Sequence, residues 1–223
     1  KNTKNYGNLK FSAGKYVDNK TDKILLKKIE NRKLWCASST HPNEEIFCGK
    51  THLYLKSTYN NILTIIIPRH ITRIKKIKKD LSNLNLKIAL FSNLNEINND
   101  TDVLLVDAYG EALKFYNLSS CVFVGKSLIK KSIDSSGQNP IEPSKLGCKI
   151  FHGPNVSNFK DIYEYLNTKG IANRVSSFQE LGNFIINELK ENRDSGKIVE
   201  EINNHGQNIL FSVAKDIKKY VNL

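Results

Sequence analysis

Six short segments of this 223-residue chain carry residue types that hold phosphates and hydroxyls. They are Ser38-Ser39-Thr40-His41 with Glu44-Glu45, Pro68-Arg69-His70, Asp107-Ala108-Tyr109-Gly110-Glu111, Gly125-Lys126-Ser127, Gly137-Gln138-Asn139-Pro140-Ile141-Glu142-Pro143, and Gly153-Pro154-Asn155 with Asn158. An arginine such as Arg69 grips oxyanions with a planar fork, and a lysine acts as a point charge. A carboxylate such as Glu142 accepts hydrogen bonds from ribose hydroxyls in nucleotide-binding folds. No GxGxxG and no GxxxxGKS is present, so neither a dinucleotide fingerprint nor a P-loop is supported.

Each segment follows an apolar run of strand length. The pattern predicts strands at 34–37, 63–68, 86–91, 103–107, 121–125, 148–152 and 172–176. Helices are predicted at 43–56, 71–84, 111–116, near 140–146, at 159–167, and from Phe178 to the end, with breaks near Ser195-Gly196 and His205-Gly206. Strands that are apolar throughout and joined by helices argue for an α/β fold, a parallel sheet with helices on both faces. Such sheets bind ligands outside the carboxyl ends of their strands, where helix N-termini point backbone N–H groups inward. Residues 1–33, basic and without a core pattern apart from Ile24 to Ile29, read as a connector and the start of the domain that fills 34–223.

Plainer duties compete with the ligand-binding ones. Ser39 or Thr40 would cap the helix that Glu44 opens. Tyr109-Gly110-Glu111 reads equally as a turn into a helix, and Glu142 at a helix start favours the dipole. The run Arg73 to Lys79 keeps Ile71, Ile74 and Ile77 on one face, which favours a solvated helix over a nucleic-acid patch.

Net charge is +12, from 34 Lys and Arg against 22 Asp and Glu, which favours anionic partners. Only five of the cations are Arg, the residue that base-reading interfaces prefer. No apolar run reaches the roughly 20 residues of a membrane-spanning helix. Four cysteines, Cys36, Cys48, Cys121 and Cys148, lack metal spacing and fit small buried hydrophobes in a reducing cytoplasm. Methionine is absent even at position 1, which suggests a piece of a longer protein.

In this order the segments resemble the carboxyl-terminal half of the Kdo transferases, which move 3-deoxy-D-manno-octulosonic acid (Kdo) from CMP-Kdo to lipid A precursors. The resemblance is carried by Gly7-Asn8-Leu9-Lys10-Phe11, Ala37 to His41 with Glu44-Glu45, Ile66 to His70, Val106-Asp107 with Gly110-Glu111, Phe123 to Gly125 with Ser127, Gln138 to Pro143, and Gly153-Pro154 with Asn158-Phe159. It spans essentially the whole chain. It implies the donor half of a glycosyltransferase B fold, with Pro68, Arg69, Tyr109, Gly110, Glu111, Asn139, Pro140, Ile141 and Glu142 holding CMP, and Lys10 stabilising the transition state. The implied reaction is inverting and needs neither metal nor cofactor. The implied partners are CMP-Kdo, a lipid A precursor, an anionic membrane surface and a missing amino-terminal half that holds the catalytic base, with no nucleic acid; the implied place is the cytoplasmic face of the bacterial inner membrane. Lys126 and Asn43 stand where the family usually has glycine, Ala112 where it has leucine, and 130–136 is longer than expected. Two alternatives remain: a glycosyltransferase of the same fold using a UDP-sugar, and a basic non-catalytic RNA- or membrane-binding module.

Overall fold

The computed structural model describes residues 3–14, 22–128, 135–191 and 195–219. In chain order the elements are α1 (Lys23–Ile29), β1 (Lys33–Thr40), α2 (Glu44–Lys56), β2 (Ile62–Pro68), α3 (Ile74–Ser82), β3 (Ile88–Leu90), β4 (Val103–Leu105) and α4 (Ala112–Leu118). They continue with β5 (Cys121–Val124), α5 (Ile141–Lys145), β6 (Lys149–His152), α6 (Lys160–Thr168), β7 (Ala172–Arg174), α7 (Phe178–Lys190) and α8 (Ser195–Ile217). The seven strands form one sheet in the order β3-β4-β2-β1-β5-β6-β7. Every pairing is parallel.

The strands are apolar on both faces because both faces are covered. Along β2, Leu63, Ile65 and Ile67 point into the layer that holds Leu25, Phe115, Ile162 and Ile202 from α1, α4, α6 and α8. Ile62 and Ile66 point the other way, into the layer with Cys48, Leu81 and Leu181 from α2, α3 and α7. On α3, Ile77 and Leu81 are buried while Lys75, Lys76 and Lys79 stay in solvent, the solvated-face arrangement expected of this run. All four cysteines are free thiols buried in these layers; burial pushes the Cys148 thiol up to about 12.

Two expectations need correction. First, α8 does not break at His205-Gly206; it runs unbroken through both residues. Gly206 serves a close approach instead, since a Cβ there would lie 2.3 Å from the carbonyl oxygen of Phe11. The 3-10 turn Leu9–Ser12 rides on the bare backbone of α8 at that point. Second, the segment before β1 has a core residue outside the Ile24 to Ile29 run that the pattern picked out: Phe11 is buried, as are Leu25 and Ile29 within that run. Gly206→Val is expected to lift the turn off α8 at a cost of about 1–3 kcal/mol. Urea denaturation checks it, and an unchanged midpoint would show that the contact is slack.

Candidate functional site

Because the sheet is wholly parallel, the carboxyl ends of its strands share one edge. The chain leaves β1 toward β2 on one side and returns, after β4, to β5 on the other. The crevice at this switch of direction is where open α/β sheets take ligands. At its centre β1 ends in an irregularity of register between Ser38 and Thr40, with Ser39 at φ +55°. The Ser39 carbonyl lies 3.0 Å from His41 Nδ1.

The expected cap on α2 is not formed. Asn43 flanks the helix in the left-handed region and makes no side-chain cap, and the buried Thr40 hydroxyl has no partner among the described residues. Glu44 turns back instead. Its Oε2 accepts the N–H groups of His41 at 2.9 Å and Lys126 at 2.7 Å. Its Oε1 accepts those of Ser127 at 2.9 Å and Leu128 at 3.0 Å. A carboxylate 1% exposed thus fastens the loop after β5 to the loop after β1. Burial pushes its carboxyl above the ordinary value, and the four N–H donors pull against that.

From there the ties run outward. The Lys126 carbonyl accepts from Gly137 N–H at 2.7 Å, which sets the approach to α5. The Ser127 carbonyl accepts from Asn155 N–H at 2.9 Å, and Ser127 Oγ accepts from Gly153 N–H at 2.9 Å, which fixes the loop after β6. The sequence singled out Glu44 and Ser127 as candidates, but not these ties, in which Glu44 collects amides 82, 83 and 84 residues away.

On the β2 side, Glu45 holds Arg73 in a two-pronged pair at 2.8 and 3.0 Å. The pair anchors the turn that carries Arg69 and His70. Arg69 donates its backbone N–H to the Thr40 carbonyl at 3.0 Å; its exposed guanidinium has no protein partner among the described residues. Pro68 is buried as the last residue of β2. Next to it, after β4, Asp107 accepts from the N–H and hydroxyl of Ser92. Tyr109 is 65% exposed, Gly110 has φ +85°, and the Glu111 carboxylate is held by Lys114 at 2.6 Å.

The segment 139–142 divides in two. Asn139 Oδ1 accepts the N–H of Ile141 at 3.1 Å. Pro140 and Ile141 are buried, Ile141 within the core beside α4 and α8, so its side chain is committed to packing. Glu142 lies partly exposed near Tyr116, whose hydroxyl is 2.5 Å from Ser38 Oγ. The structure therefore brings Arg69 after β2, the Tyr109 to Glu111 turn after β4 and Glu142 on α5, beyond β5, to the carboxyl edge. Lys10 stands apart. Its turn walls a cleft of about 510 Å³ against the loop after β6 and the start of α6, and its exposed ammonium touches none of the other candidates.

No family model matches the chain. The 3-deoxy-D-manno-octulosonic acid transferase of Haemophilus influenzae is 32% identical over 168 residues, covering 72% of this chain and 37% of that protein. Its counterpart in Rickettsia bellii is 30% identical over 219 residues, covering 97% of this chain and 50% of that protein. Among solved structures, the C-terminal CMP-Kdo binding domain of WaaA from Acinetobacter baumannii matches with a TM-score of 0.70 at 25% identity, over 84% of this chain and 97% of that one. This chain is a relative of the Kdo transferases. It matches their carboxyl-terminal half, and it spans half or less of the length of these two curated relatives. The sheet and its two helical layers are those of the carboxyl-terminal half of a glycosyltransferase B fold. Against the Kdo-transferase pattern, the substitution at 126 falls on a residue with φ +57°, where glycine is the unstrained choice.

Proposed function

We propose that this chain is the donor-binding half of a Kdo transferase, which passes Kdo from CMP-Kdo to a lipid A precursor. The match to the Acinetobacter baumannii domain along 97% of that domain's length carries the reading. In the reaction, an acceptor hydroxyl attacks the anomeric carbon from the face opposite CMP and inverts it. The bond from that carbon to the phosphate oxygen breaks, CMP leaves with the electron pair, and the hydroxyl proton passes to a base in an amino-terminal half of the same protein.

Charge develops on the departing phosphate while the sugar becomes oxocarbenium-like. Fixed cations and helix N-terminal amides stabilise that charge without reorganising, with no metal needed. Arg69 grips the nucleotide, Glu142 and the turn at Gly110-Glu111 hold its hydroxyls, and Lys10 faces the transition state. The net charge of +12 favours work at an anionic membrane, the cytoplasmic face of the inner membrane.

Titrating the chain with CMP, with UMP and AMP as controls, and following amide NMR shifts tests this. Shifts at Arg69, Gly110, Glu111 and Glu142 with CMP alone are expected. Equal response to all three nucleotides, or none at millimolar concentration, overturns the donor assignment. The chain alone should transfer no Kdo, because the base lies outside it.

A further inference from the structure

The segment ahead of α1 lies along α8 and is pinned at both ends. Lys4 meets Asp216 at 3.3 Å near the end of α8, and the Ala13 carbonyl accepts from the ammonium of Lys145 on α5. Between them the Leu9–Ser12 turn sits on Gly206 and walls the cleft of about 510 Å³. Phe11, 3% exposed, is the side chain the turn sends inward. Its ring meets two others, each from a different helix: Tyr165 of α6, edge to face at 5.8 Å, and His205 of α8, edge to face at 4.8 Å. His205 also lies flat on Tyr165, with centroids 3.8 Å apart and an interplanar angle of 17°.

Of these three rings only His205 changes charge near neutral pH. A cation in this stack needs a counter-charge, and the carboxylate one helical turn away is already committed. One oxygen of Glu201 accepts both the Tyr165 hydroxyl at 2.9 Å and the Lys169 ammonium at 2.7 Å. Lys169 itself lies 5.9 Å from the centre of the Tyr165 ring, a like charge beside the stack. The cleft that His205 lines also receives one cation and one anion from α6, Lys160 and Asp161, and the turn brings Lys10, which is exposed. Burial is the largest influence on the His205 imidazole and lowers it; Glu201 pulls it up and Lys169 pushes it further down.

We propose that His205 is a positioning residue: as a neutral ring clamped between Tyr165 and Phe11 it holds the Leu9–Ser12 turn, and with it Lys10, against α8, and as a cation it lets the turn go. The clamp rests on these contacts; that Lys10 serves transfer rests on the donor-binding reading above. The pair His205-Gly206 is thereby the seat of the turn. Glycine lets the backbone of Phe11 approach, and histidine closes on its side chain.

Amide and ring-proton NMR from about pH 7.5 to about pH 5.5 tests this on the chain and on His205→Phe. In the wild type the His205 ring should titrate below the ordinary imidazole value. The amides of Leu9 to Ala13 should shift with the same midpoint, while cross-peaks between the Phe11 and His205 rings lose most of their intensity. Phenylalanine keeps a flat ring in the stack and cannot take up a proton. His205→Phe should therefore lose the step at 9–13 and keep its ring contacts in acid. His205→Ala should show at every pH the amide shifts that the wild type reaches only in acid. The other four histidines titrate as well, so a step at 9–13 that survives in His205→Phe overturns the clamp. A wild-type turn that ignores the His205 midpoint overturns it too. Neither readout involves a nucleotide: a turn that follows His205 in a chain indifferent to CMP would sustain the clamp and remove the donor reading. CMP shifts beside an indifferent turn would do the reverse.

Discussion

Glu44→Gln should lower the stability of this chain by about 3–5 kcal/mol, the scale for removing one member of a buried charged network. The substitution keeps the volume and one of two oxygens. The other position becomes an NH₂ group facing two backbone N–H donors, either those of His41 and Lys126 or those of Ser127 and Leu128. The Ser127 bond is buried and the other three are partly so, and a donor stranded away from water costs its desolvation. Urea denaturation at pH 7 should show a lower midpoint with an unchanged slope. Hydrogen exchange in the folded variant should accelerate at His41 and at 126–128, and then at Gly137, whose N–H reports on the Lys126 carbonyl. A loss below about 1 kcal/mol, the worth of an ordinary exposed pair, would show that Glu44 does not organise these loops.

Much of the fold was legible because its signals are local. Seven apolar runs became seven strands, since strands covered on both faces need no polar alternation, and the Lys-rich run became α3 because its isoleucines keep helical spacing. Errors came where a contact between distant segments overrode local chemistry. Gly206 read as a helix break, yet it makes room for Phe11 on a turn nearly two hundred residues earlier. Glu44 read as the partner of a capping Ser or Thr. The turning-back was local and foreseeable in kind, but the three amides it also collects lie 82, 83 and 84 residues away. Ile141 sat inside a functional-looking motif and proved to be core, because a strand-to-helix turn must anchor itself before it can present its neighbours. That most of the candidate segments gather at the carboxyl edge was legible for a general reason: in a parallel sheet, whatever follows each strand gathers on one side.

At the opposite edge of the sheet, Asp102→Ala should cost about 3–5 kcal/mol at neutral pH, and that cost should shrink in acid. Asp102 immediately precedes β4. Its Oδ1 accepts from Lys56 Nζ at 2.7 Å and lies 3.2 Å from Nε2 of His52, and its Oδ2 accepts the Lys87 N–H at 2.8 Å. His52 is fully buried, with Nδ1 2.9 Å from the Thr64 hydroxyl. Burial alone would raise the Asp102 carboxyl, but hydrogen bonds from His52 and Lys56 outweigh it and hold the group far below the usual carboxylate range. For His52 burial wins and lowers the imidazole, with Asp102 pulling the other way. Both groups therefore release protons more readily in the folded chain than in the unfolded one. As pH falls, the unfolded state takes up protons first and stability drops, beginning below about 6.5 for His52 and continuing below about 3.9 for Asp102. The carboxylate's contribution is complete above that lower value and fades beneath it, so the urea midpoints of wild type and Asp102→Ala should keep their separation down to about pH 4 and converge from there toward about pH 2. A penalty that stays constant across that range would mean that Asp102 matters for its packing and not for its charge. CMP binding at pH 7 should be the same in both proteins, because nothing in this network touches the loops at the carboxyl edge.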